Sequence, residues 1–280
     1  MKRIKVYFEG GLGNQLFQYT AGMKLHQSFP EFSINFTSRH LRWSNTSVNI
    51  DYFLKIPEIK CISNKYFFAY MSLKDSLFGY NIRDNSSSLI NFEDIPRKSY
   101  YILKGFFQNP SWYRSVVNDV CDEICLHSKE KIFDKFDDSE LVLHFRRSDY
   151  VKLGWEIDLK YYYDALKVLN NNKEKQITIV SDDSQFSVLI SDKLKTLGYK
   201  ISPFNTKFIF PESVNAFATI IKSKNLVIAN SSFSWWAASV RNIMGYNNKQ
   251  VICPKNWFPK NKNFHPGKHP EWTEINNLFI

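Results

Sequence analysis

Short apolar runs and helical patterns alternate along the second half of the chain. The runs that read as strands lie at 141–145, 176–180, 225–229 and 250–253. Helical spacing of apolar residues is found at 161–169, 184–197, 213–222 and 234–244. This alternation predicts βαβ units and a parallel sheet covered by helices. Ligands of such sheets bind at the carboxyl ends of the strands, and the polar clusters described below fall at such ends.

The N-terminal segment has the same order of strand, loop and helix. Residues 4–8 form a short β-type run, residues 10–13 form a glycine-rich break, and a helical pattern begins at Asn14. Residues 38–110 are less regular, and no chemistry can be assigned to them from the sequence. A chain of 280 residues is long enough for one large domain or two smaller ones.

The composition is that of a globular chain with an excess of basic residues. Hydrophobic residues make up 44% and charged residues 23%. The net charge of +10 favours an anionic partner, such as nucleic acid, an anionic membrane surface or a phosphorylated small molecule. The lysines are scattered instead of forming a basic arm, which argues against nucleic acid. A diphosphate substrate and a weak membrane association both fit this charge.

The cysteines and the hydropathy pattern bear on the compartment. Four cysteines stand without metal-ligand spacing, so a reducing compartment is the simplest interpretation. The charged segment 1–8 lacks the apolar core of a signal peptide, and no apolar run reaches the ~20 residues that span a bilayer. The sequence therefore predicts a cytoplasmic protein, at most peripheral on the inner face of the cell membrane.

Two arginines follow the strand at 141–145. His144, Arg146, Arg147 and Asp149 stand together where this strand passes into a loop. Arginine binds phosphate oxygens through a fixed fork of donors, so two guanidiniums at a strand end predict an anion site. The alternative is a structural ion pair between an arginine and Asp149.

A glycine-rich loop precedes the first helical pattern. Residues 10–15 (GGLGNQ) place Gly11 and Asn14 at a helix N-terminus, where backbone N–H groups and the helix dipole attract anions. The motif is not the dinucleotide-binding G-x-G-x-x-G, because its last glycine is missing. The simpler alternative is a tight turn with Asn14 as the helix N-cap.

Serines follow the strand at 225–229 and open the next helical pattern. Ser231, Ser232, Phe233 and Ser234 place hydroxyl and backbone N–H groups where a phosphate can bind. The alternative is ordinary helix capping by serine. The tryptophan pair that follows is expected in the core.

Two acidic residues end the strand at 176–180. Asp182 is placed to accept hydrogen bonds from a ribose or a guanine. The alternative is that an aspartate at this position is the N-cap of the next helix. Asp182 and Asp183 are adjacent and therefore do not form a D-x-D metal motif. Because two arginines can neutralise a diphosphate, we expect no metal site.

Three of these clusters together resemble the motifs of α-1,2-fucosyltransferases, glycosyltransferase family 11. They are residues 10–19 (GGLGNQLFQY), 144–149 (HFRRSD) and 231–238 (SSFSWWAA). Their order and spacing match from residue 4 to about residue 260, and residues 181–182 and 254–258 (PKNWF) fit as well. Ser148 departs from the family pattern, which usually has glycine there, and the segment 151–159 matches no part of it.

The resemblance implies an α/β, GT-B-like fold with two Rossmann-like domains facing across a cleft. Residues 1–135 would form an N-terminal, acceptor-side domain, and residues 136–280 a C-terminal GDP-sugar-binding domain. The donor would be GDP-fucose, transferred with inversion to a hydroxyl, such as galactose O2, of a glycan acceptor. No cofactor and no metal would be required. An O-antigen or capsule glycan, in lipid-linked form, is one acceptor compatible with this assignment.

The same resemblance implies roles for individual residues. Arg146 would contact the donor diphosphate, Asn14 would reach the donor, and Asp182 would help to hold the nucleoside. Phosphate would be bound by hydroxyl and backbone groups at residues 232–234. The expected substrate-binding set is completed by Gly11, His144, Arg147 and Ser231.

The expected reaction is a single displacement in which negative charge grows on the departing diphosphate and is met by Arg146 and Arg147. The acceptor proton would pass to a carboxylate or a histidine. The candidates are Asp149, Glu156 and Asp158, of which Asp149 is preferred. Asp149 has a second possible role, which is to orient Arg147 through an ion pair.

Three alternatives stay open at this point. The same fold can use another GDP-6-deoxysugar, such as colitose. A non-catalytic nucleotide- or glycan-binding module would keep the pocket and lose turnover, although the intact arginine pair argues against it. An RNA-binding protein would require clustered basic residues, which the sequence lacks.

Overall fold

The computed structural model describes most of the chain. The described residues are 2–39, 49–56, 58–62, 65–83, 94–169, 175–202, 210–245, 250–259, 266 and 269–280. The chain divides into two compact units, Met1–Ile124 and Cys125–Ile280, and each has its own parallel sheet. Within the described ranges no helix combines the length and the apolar character that a membrane span requires.

The first unit is built on five described strands. They are β1 (Arg3–Phe8), β2 (Ser33–Arg39), β3 (Ile59–Ile62), β4 (Tyr80–Arg83) and β5 (Tyr100–Lys104). The helices are α1 (Leu12–Ser28), α2 (Lys65–Phe78), α3 (Pro110–Tyr113) and α4 (Val117–Ser128), and α4 continues into the second unit. The strand order is β3-β2-β1-β5-β4. Because β1 and β5 are parallel neighbours, the loops that follow them lie side by side.

The second unit is built on six described strands. They are β6 (Ser139–Phe145), β7 (Gln176–Ser181), β8 (Lys200–Ser202), β9 (Ser223–Val227), β10 (Val251–Pro254) and β11 (Thr273–Ile275). The helices are α5 (Ser148–Leu153), α6 (Leu159–Val168), α7 (Ser184–Thr196), α8 (Glu212–Ile221) and α9 (Ser232–Ile243). The strand order β8-β7-β6-β9-β10-β11 is the 3-2-1-4-5-6 order of a Rossmann fold, with its reversal between β6 and β9.

The helices and strands expected from the sequence are present, with ends shifted by no more than two residues. Helix α1 begins at Leu12 instead of Asn14. The interpretation of residues 38–110 as irregular is wrong, because β3, α2, β4 and β5 lie there. The unmatched segment 151–159 contains the end of α5 and the beginning of α6. The sequence of α2 shows no clear helical period of apolar residues, because such residues lie on several faces of the helix.

Strand β6 lies at the centre of the second unit's core. Leu141, Val142 and Leu143 are at most 1% exposed, so both faces of the strand are covered. The ring of Tyr162 on α6 stacks on Phe145 with 4.0 Å between the centroids, and its hydroxyl donates to the carbonyl oxygen of His144. Burying an aliphatic or aromatic side chain of this kind contributes about 1.5–3 kcal/mol. This packing fixes the carboxyl end of β6, where the arginines begin.

Candidate functional site

The carboxyl ends of β6, β7 and β9 form one edge of the second sheet. Strand β6 pairs with β7 on one side and with β9 on the other. Parallel sheets bind ligands in the crevice beyond the strands at which the order reverses, here β6 and β9. The polar clusters at residues 144–149, 181–183 and 230–234 lie at the carboxyl ends of these three strands. The structure therefore brings the three clusters to the same edge.

Arg146 is held between two carboxylates just beyond β6. Its Nη1 donates to Oδ2 of Asp182 at 2.5 Å, and its Nη2 donates to Oδ1 of Asp149 at 2.6 Å. The guanidinium also lies 5.2 Å from the centre of the Tyr150 ring. The side chain is 32% exposed, and a guanidinium carries five N–H donors, so an anion can still reach it. These contacts hold the fork of donors in one orientation.

Arg147 has a more buried set of partners. Its Nη1 donates to Oε1 of Glu156, and its Nε donates to Oδ2 of Asp183 at 3.1 Å. The guanidinium stacks on the ring of Phe186 at 3.9 Å, and the side chain is 19% exposed. The ion pair expected between Arg147 and Asp149 is therefore corrected. Asp149 pairs with Arg146 instead, which lies three positions earlier and hence on the same side of the first turn of α5.

Asp182 joins the loops that follow β6 and β7. Its Oδ2 accepts a hydrogen bond from Arg146, and its Oδ1 accepts one from the backbone N–H of Arg147 at 2.8 Å. The hydroxyl of Ser148 donates to the carbonyl oxygen of Asp182 at 3.2 Å. Both carboxylate oxygens thus position the arginines. The nucleoside contact implied for Asp182 stays a prediction.

A pocket of ≈ 420 Å³ opens beside this ionic cluster. At its edge Asp183 caps α7 by accepting a hydrogen bond from the N–H of Phe186, which is the first cause of its lowered pKa. A cavity of this size suits part of a nucleotide. No group of three or more His, Cys, Asp or Glu side chains in the described ranges is placed to hold a metal ion. The pocket is lined by Arg147, Ser148, Val151, Lys152, Asp182, Asp183, Ser184 and Gln185.

The N-terminus of α9 follows β9 at the same edge. Ser231 is the N-cap, and its Oγ accepts a hydrogen bond from the N–H of Phe233 at 3.3 Å. Ser234 is buried, and its hydroxyl donates to the carbonyl oxygens of Ala229 and Ser231. These two hydroxyls hold the turn, whereas Ser232 and Phe233 are only half-buried. The tryptophan pair that follows is buried, as expected.

His144 lies inside the end of β6 and is 5% exposed. Its ring is 5.9 Å from the ring of Phe233, so it packs against the first turn of α9. Burial lowers the pKa of His144 to about 4, although the charge of Asp182 acts in the opposite direction. The imidazole is therefore neutral at pH 7. A direct contact between His144 and a substrate stays a prediction.

Tyr150 and Asn230 connect the loops of this edge, and the sequence analysis assigned them no role. The hydroxyl of Tyr150 donates to the carbonyl oxygen of Asn230 at 3.2 Å. The Nδ2 of Asn230 donates to the carbonyl oxygens of Trp155 and Trp257, both at 3.0 Å. One amide thus joins the segments that follow β6, β9 and β10. The sequence signal that could have indicated this role is an asparagine that closely follows an apolar strand.

The glycine-rich loop of the first unit is a neutral, hydrogen-bonded turn. Gly10 has a φ of 75°, and Gly11 is the N-cap of α1 without a side-chain cap. Asn14 is therefore not the cap but lies within the first turn of the helix. The Nε2 of Gln15 donates to the carbonyl oxygen of Gly10 at 3.0 Å. Contacts of Gly11 and Asn14 with a donor stay predictions.

The loop after β5 supports this turn, and sequence reasoning missed it. The Nε2 of Gln108 donates to Oδ1 of Asn14 at 2.9 Å. The Nε2 of Gln18 donates to the carbonyl oxygen of Gly105 at 3.0 Å. Two signals were available: a glycine one residue beyond an apolar run, and an Asn-Pro pair, which is typical of a helix start.

The three carboxylates considered as general base have different environments. Asp149 is 57% exposed and pairs with Arg146. Glu156 is 14% exposed and pairs with Arg147. Asp158 is the N-cap of α6 and accepts a hydrogen bond from a backbone N–H two residues on. Capping gives Asp158 a structural role. Asp158 and Glu156 are only partly exposed, so Asp149 is the most accessible of the three.

Two solved structures have a similar fold. A glycosyl transferase of family 9 from Veillonella parvula matches with a TM-score of 0.51 and 10% identity, over 98% of this chain and 87% of its own. A mutant of Arabidopsis thaliana FUT1 in complex with GDP matches with a TM-score of 0.52 and 9% identity, over 93% of this chain and 71% of its own. The fold is that of the GT-B class, with two Rossmann-like sheets, as the sequence resemblance implied.

The sequence identifies the family within this class. The chain matches the model of glycosyl transferase family 11 over residues 2–276, and it belongs to that family. The O-antigen biosynthesis glycosyltransferase WbnK of Escherichia coli is 24% identical, over 90% of this chain and 94% of WbnK. An alpha-1,2-colitosyltransferase of Escherichia coli is 25% identical, over 98% of this chain and 99% of that protein. The resemblance seen in three motifs is thereby confirmed at the level of the family.

Proposed function

We propose that this glycosyltransferase transfers L-fucose from GDP-fucose to a hydroxyl of a glycan acceptor, with galactose O2 as the expected position. Membership of family 11 supports the reaction class. The GDP complex of the structurally similar Arabidopsis protein supports a guanine nucleotide donor. The relative WbnK acts in O-antigen biosynthesis, which supports a bacterial surface glycan as the acceptor.

The position of Arg146 carries this proposal. Asp149 and Asp182 hold its guanidinium at the end of β6, which is paired with the strand that leads into the N-terminus of α9. As the bond from the diphosphate to C1 of the sugar breaks, negative charge grows on the phosphate. A cation that is already oriented lowers the barrier without reorganising during the reaction. The helix dipole at Ser232 acts in the same sense.

In the proposed step the acceptor oxygen bonds to C1 on one face of the sugar while the bond to GDP breaks on the other. GDP leaves with the electron pair, and the acceptor proton passes to a carboxylate. We assign this role to Asp149, because it is the most exposed of the three candidates. Arginine charge does the work that a metal ion does elsewhere, so turnover should persist in excess chelator. Complete loss with EDTA and recovery with Mg²⁺ would contradict that expectation.

Asp149→Asn tests the assignment of the base. The variant keeps the size of the side chain and removes its charge. If Asp149 is the base, kcat should fall by about 10²–10⁴ while GDP affinity stays nearly unchanged. If Asp149 only orients Arg146, GDP affinity should fall together with kcat. Normal turnover together with normal GDP binding would exclude both roles and move the search to Glu156.

A donor and acceptor screen tests the function itself. GDP release would be measured with GDP-fucose and a panel of galactosides, and the product linkage would be determined by NMR. GDP-colitose is the second donor, because an alpha-1,2-colitosyltransferase is 25% identical across 98% of the chain. Faster turnover with GDP-colitose would select that donor. Thermal stabilisation by GDP without transfer from either donor would instead indicate a non-catalytic binding module.

A further inference from the structure

Helix α2 turns most of its polar side chains towards the sheet of the first unit. Asp75 is 5% exposed and accepts hydrogen bonds from Nζ of Lys5 and the hydroxyl of Tyr7, both at 2.5 Å. The hydroxyls of Ser72 and Ser76 both accept hydrogen bonds, at 2.8 Å, from the lysine that ends β5. A surface helix of a globular protein normally buries its apolar face instead.

The opposite side of α2 carries an apolar stripe, which consists of Tyr70, Leu73, Leu77 and Phe78. These side chains are 58%, 62%, 72% and 75% exposed, respectively. Tyr70, Leu73 and Leu77 are spaced by three and four residues, so they lie on one face of the helix. Single exposed apolar residues are common, but a contiguous stripe indicates a surface that binds another molecule or a membrane.

The charges of the segment that contains α2 indicate which partner covers the stripe. Between residues 59 and 83 the sequence contains four basic residues and one acidic residue, Asp75, which is buried against Lys5. The side chains of Lys60, Lys74 and Arg83 are exposed. A second copy of the chain would bring the same positive helix against itself, and like charges oppose such pairing. Anionic lipid headgroups are complementary to these cations.

We propose that the apolar stripe of α2 docks on the surface of an anionic phospholipid membrane. The four apolar side chains would lie at the boundary between headgroups and acyl chains, where tyrosine is favoured. The lysine stem of Lys74 can pass along the apolar layer while its ammonium reaches a phosphate. The inference concerns a surface of the first unit and does not depend on which sugar the enzyme transfers.

The test uses the full chain and unilamellar vesicles, with binding measured by flotation. One set of vesicles contains phosphatidylcholine alone, and the other contains equal parts of phosphatidylcholine and phosphatidylglycerol. We expect binding to the anionic vesicles that weakens as salt is raised, because surface charges are screened. Lys74→Gln should weaken this binding about fivefold.

A triple variant, Tyr70→Ser with Leu73→Ser and Leu77→Ser, should weaken binding to anionic vesicles by at least about tenfold. The matched control replaces three other apolar residues with serine, namely Leu126, Val188 and Leu189, which are 87%, 64% and 61% exposed. Binding by the control should equal that of the unmodified protein. An equal loss in both triple variants would overturn the proposal.

Two further outcomes would overturn it. The first is that the unmodified protein fails to bind anionic vesicles at low salt, a result that does not depend on whether a variant folds. The second is that sedimentation velocity shows a dimer that the triple variant converts to a monomer, without vesicle binding by either. That result would assign the stripe to a second copy of the chain.

Discussion

The central strands of the two units end in chemically opposite surroundings. Beyond β6 the second unit gathers two arginines and four carboxylates into connected ion pairs. Beyond β1 the first unit has one carboxylate, Glu9, which is followed by glycines and neutral amides, and Asn14 is held by the amide of Gln108. Charge-assisted hydrogen bonds are roughly twice as strong as neutral ones. The same kind of parallel sheet therefore supports an edge that responds to charge in one unit and an edge defined by backbone shape in the other.

This difference predicts different sensitivities to substitution. Variants at the end of β6 should change chemistry strongly, and their effects should depend on salt and pH. Variants at the end of β1 should have smaller effects that do not depend on salt.

The largest effect is expected for Arg146→Ala. The variant removes the oriented cation and leaves Asp149 and Asp182 without their shared partner. We expect kcat to fall by about 10²–10³, equivalent to about 3–4 kcal/mol of transition-state stabilisation. The control is Arg97→Ala, which removes an exposed arginine of the first unit. Near-normal kcat in Arg146→Ala would show that the ion pairs at this edge are only structural.

His144 gives the second unit a pH dependence that originates at the same edge. Its pKa is about 4 in the folded protein because of burial, against about 6.5 in an unfolded chain. The unfolded state therefore binds a proton first as the pH falls. Full stability is present above pH 6.5, and about 3 kcal/mol should be lost between pH 6.5 and pH 4.

The measurement is urea unfolding of the unmodified protein and of His144→Phe across this pH range. Carboxylates titrate in both proteins, so the difference between the two curves isolates the histidine. The difference should change by about 3 kcal/mol between pH 7 and pH 4. If the difference between the two curves does not change with pH, His144 takes up its proton at the same pH in the folded and the unfolded states.

The sequence predicted the edge beyond β6 better than the edge beyond β1. The reason is the distance along the chain between each residue and its hydrogen-bond partner. The motif HFRRSD lies at the carboxyl end of an apolar strand, so the positions of Arg146 and Arg147 follow from the local sequence pattern. The partner of Arg147, Glu156, lies beyond a helix that the sequence did not reveal. Asn14 and its partner Gln108 are 94 positions apart, and no local signal could join them.

The third prediction concerns the backbone of the glycine-rich loop. Gly10 has a φ of 75°, and a Cβ placed there would lie 2.4 Å from Nδ2 of Asn14. Gly10→Ala should therefore lower the free energy of unfolding by about 2 kcal/mol, from left-handed strain and a displaced Asn14. Gly11→Ala is the matched control, because no atom lies within 4 Å of its Cβ. Equal stability of the two variants would contradict the assigned backbone shape.

The smallest effect is expected for Gln108→Ala, which removes the neutral hydrogen bond to Asn14. A bond of this kind contributes about 1 kcal/mol, so kcat/KM for the donor should fall about fivefold if Asn14 reaches the donor. Gln27→Ala, an exposed glutamine at the end of α1, is the control. Because neither partner is charged, the loss should be the same at low and high salt, whereas the loss in Arg146→Ala should shrink as salt is raised. A lower melting temperature with unchanged kcat/KM would give Gln108 a purely structural role. A loss that varies with salt as steeply as that of Arg146→Ala would falsify the contrast between the two edges.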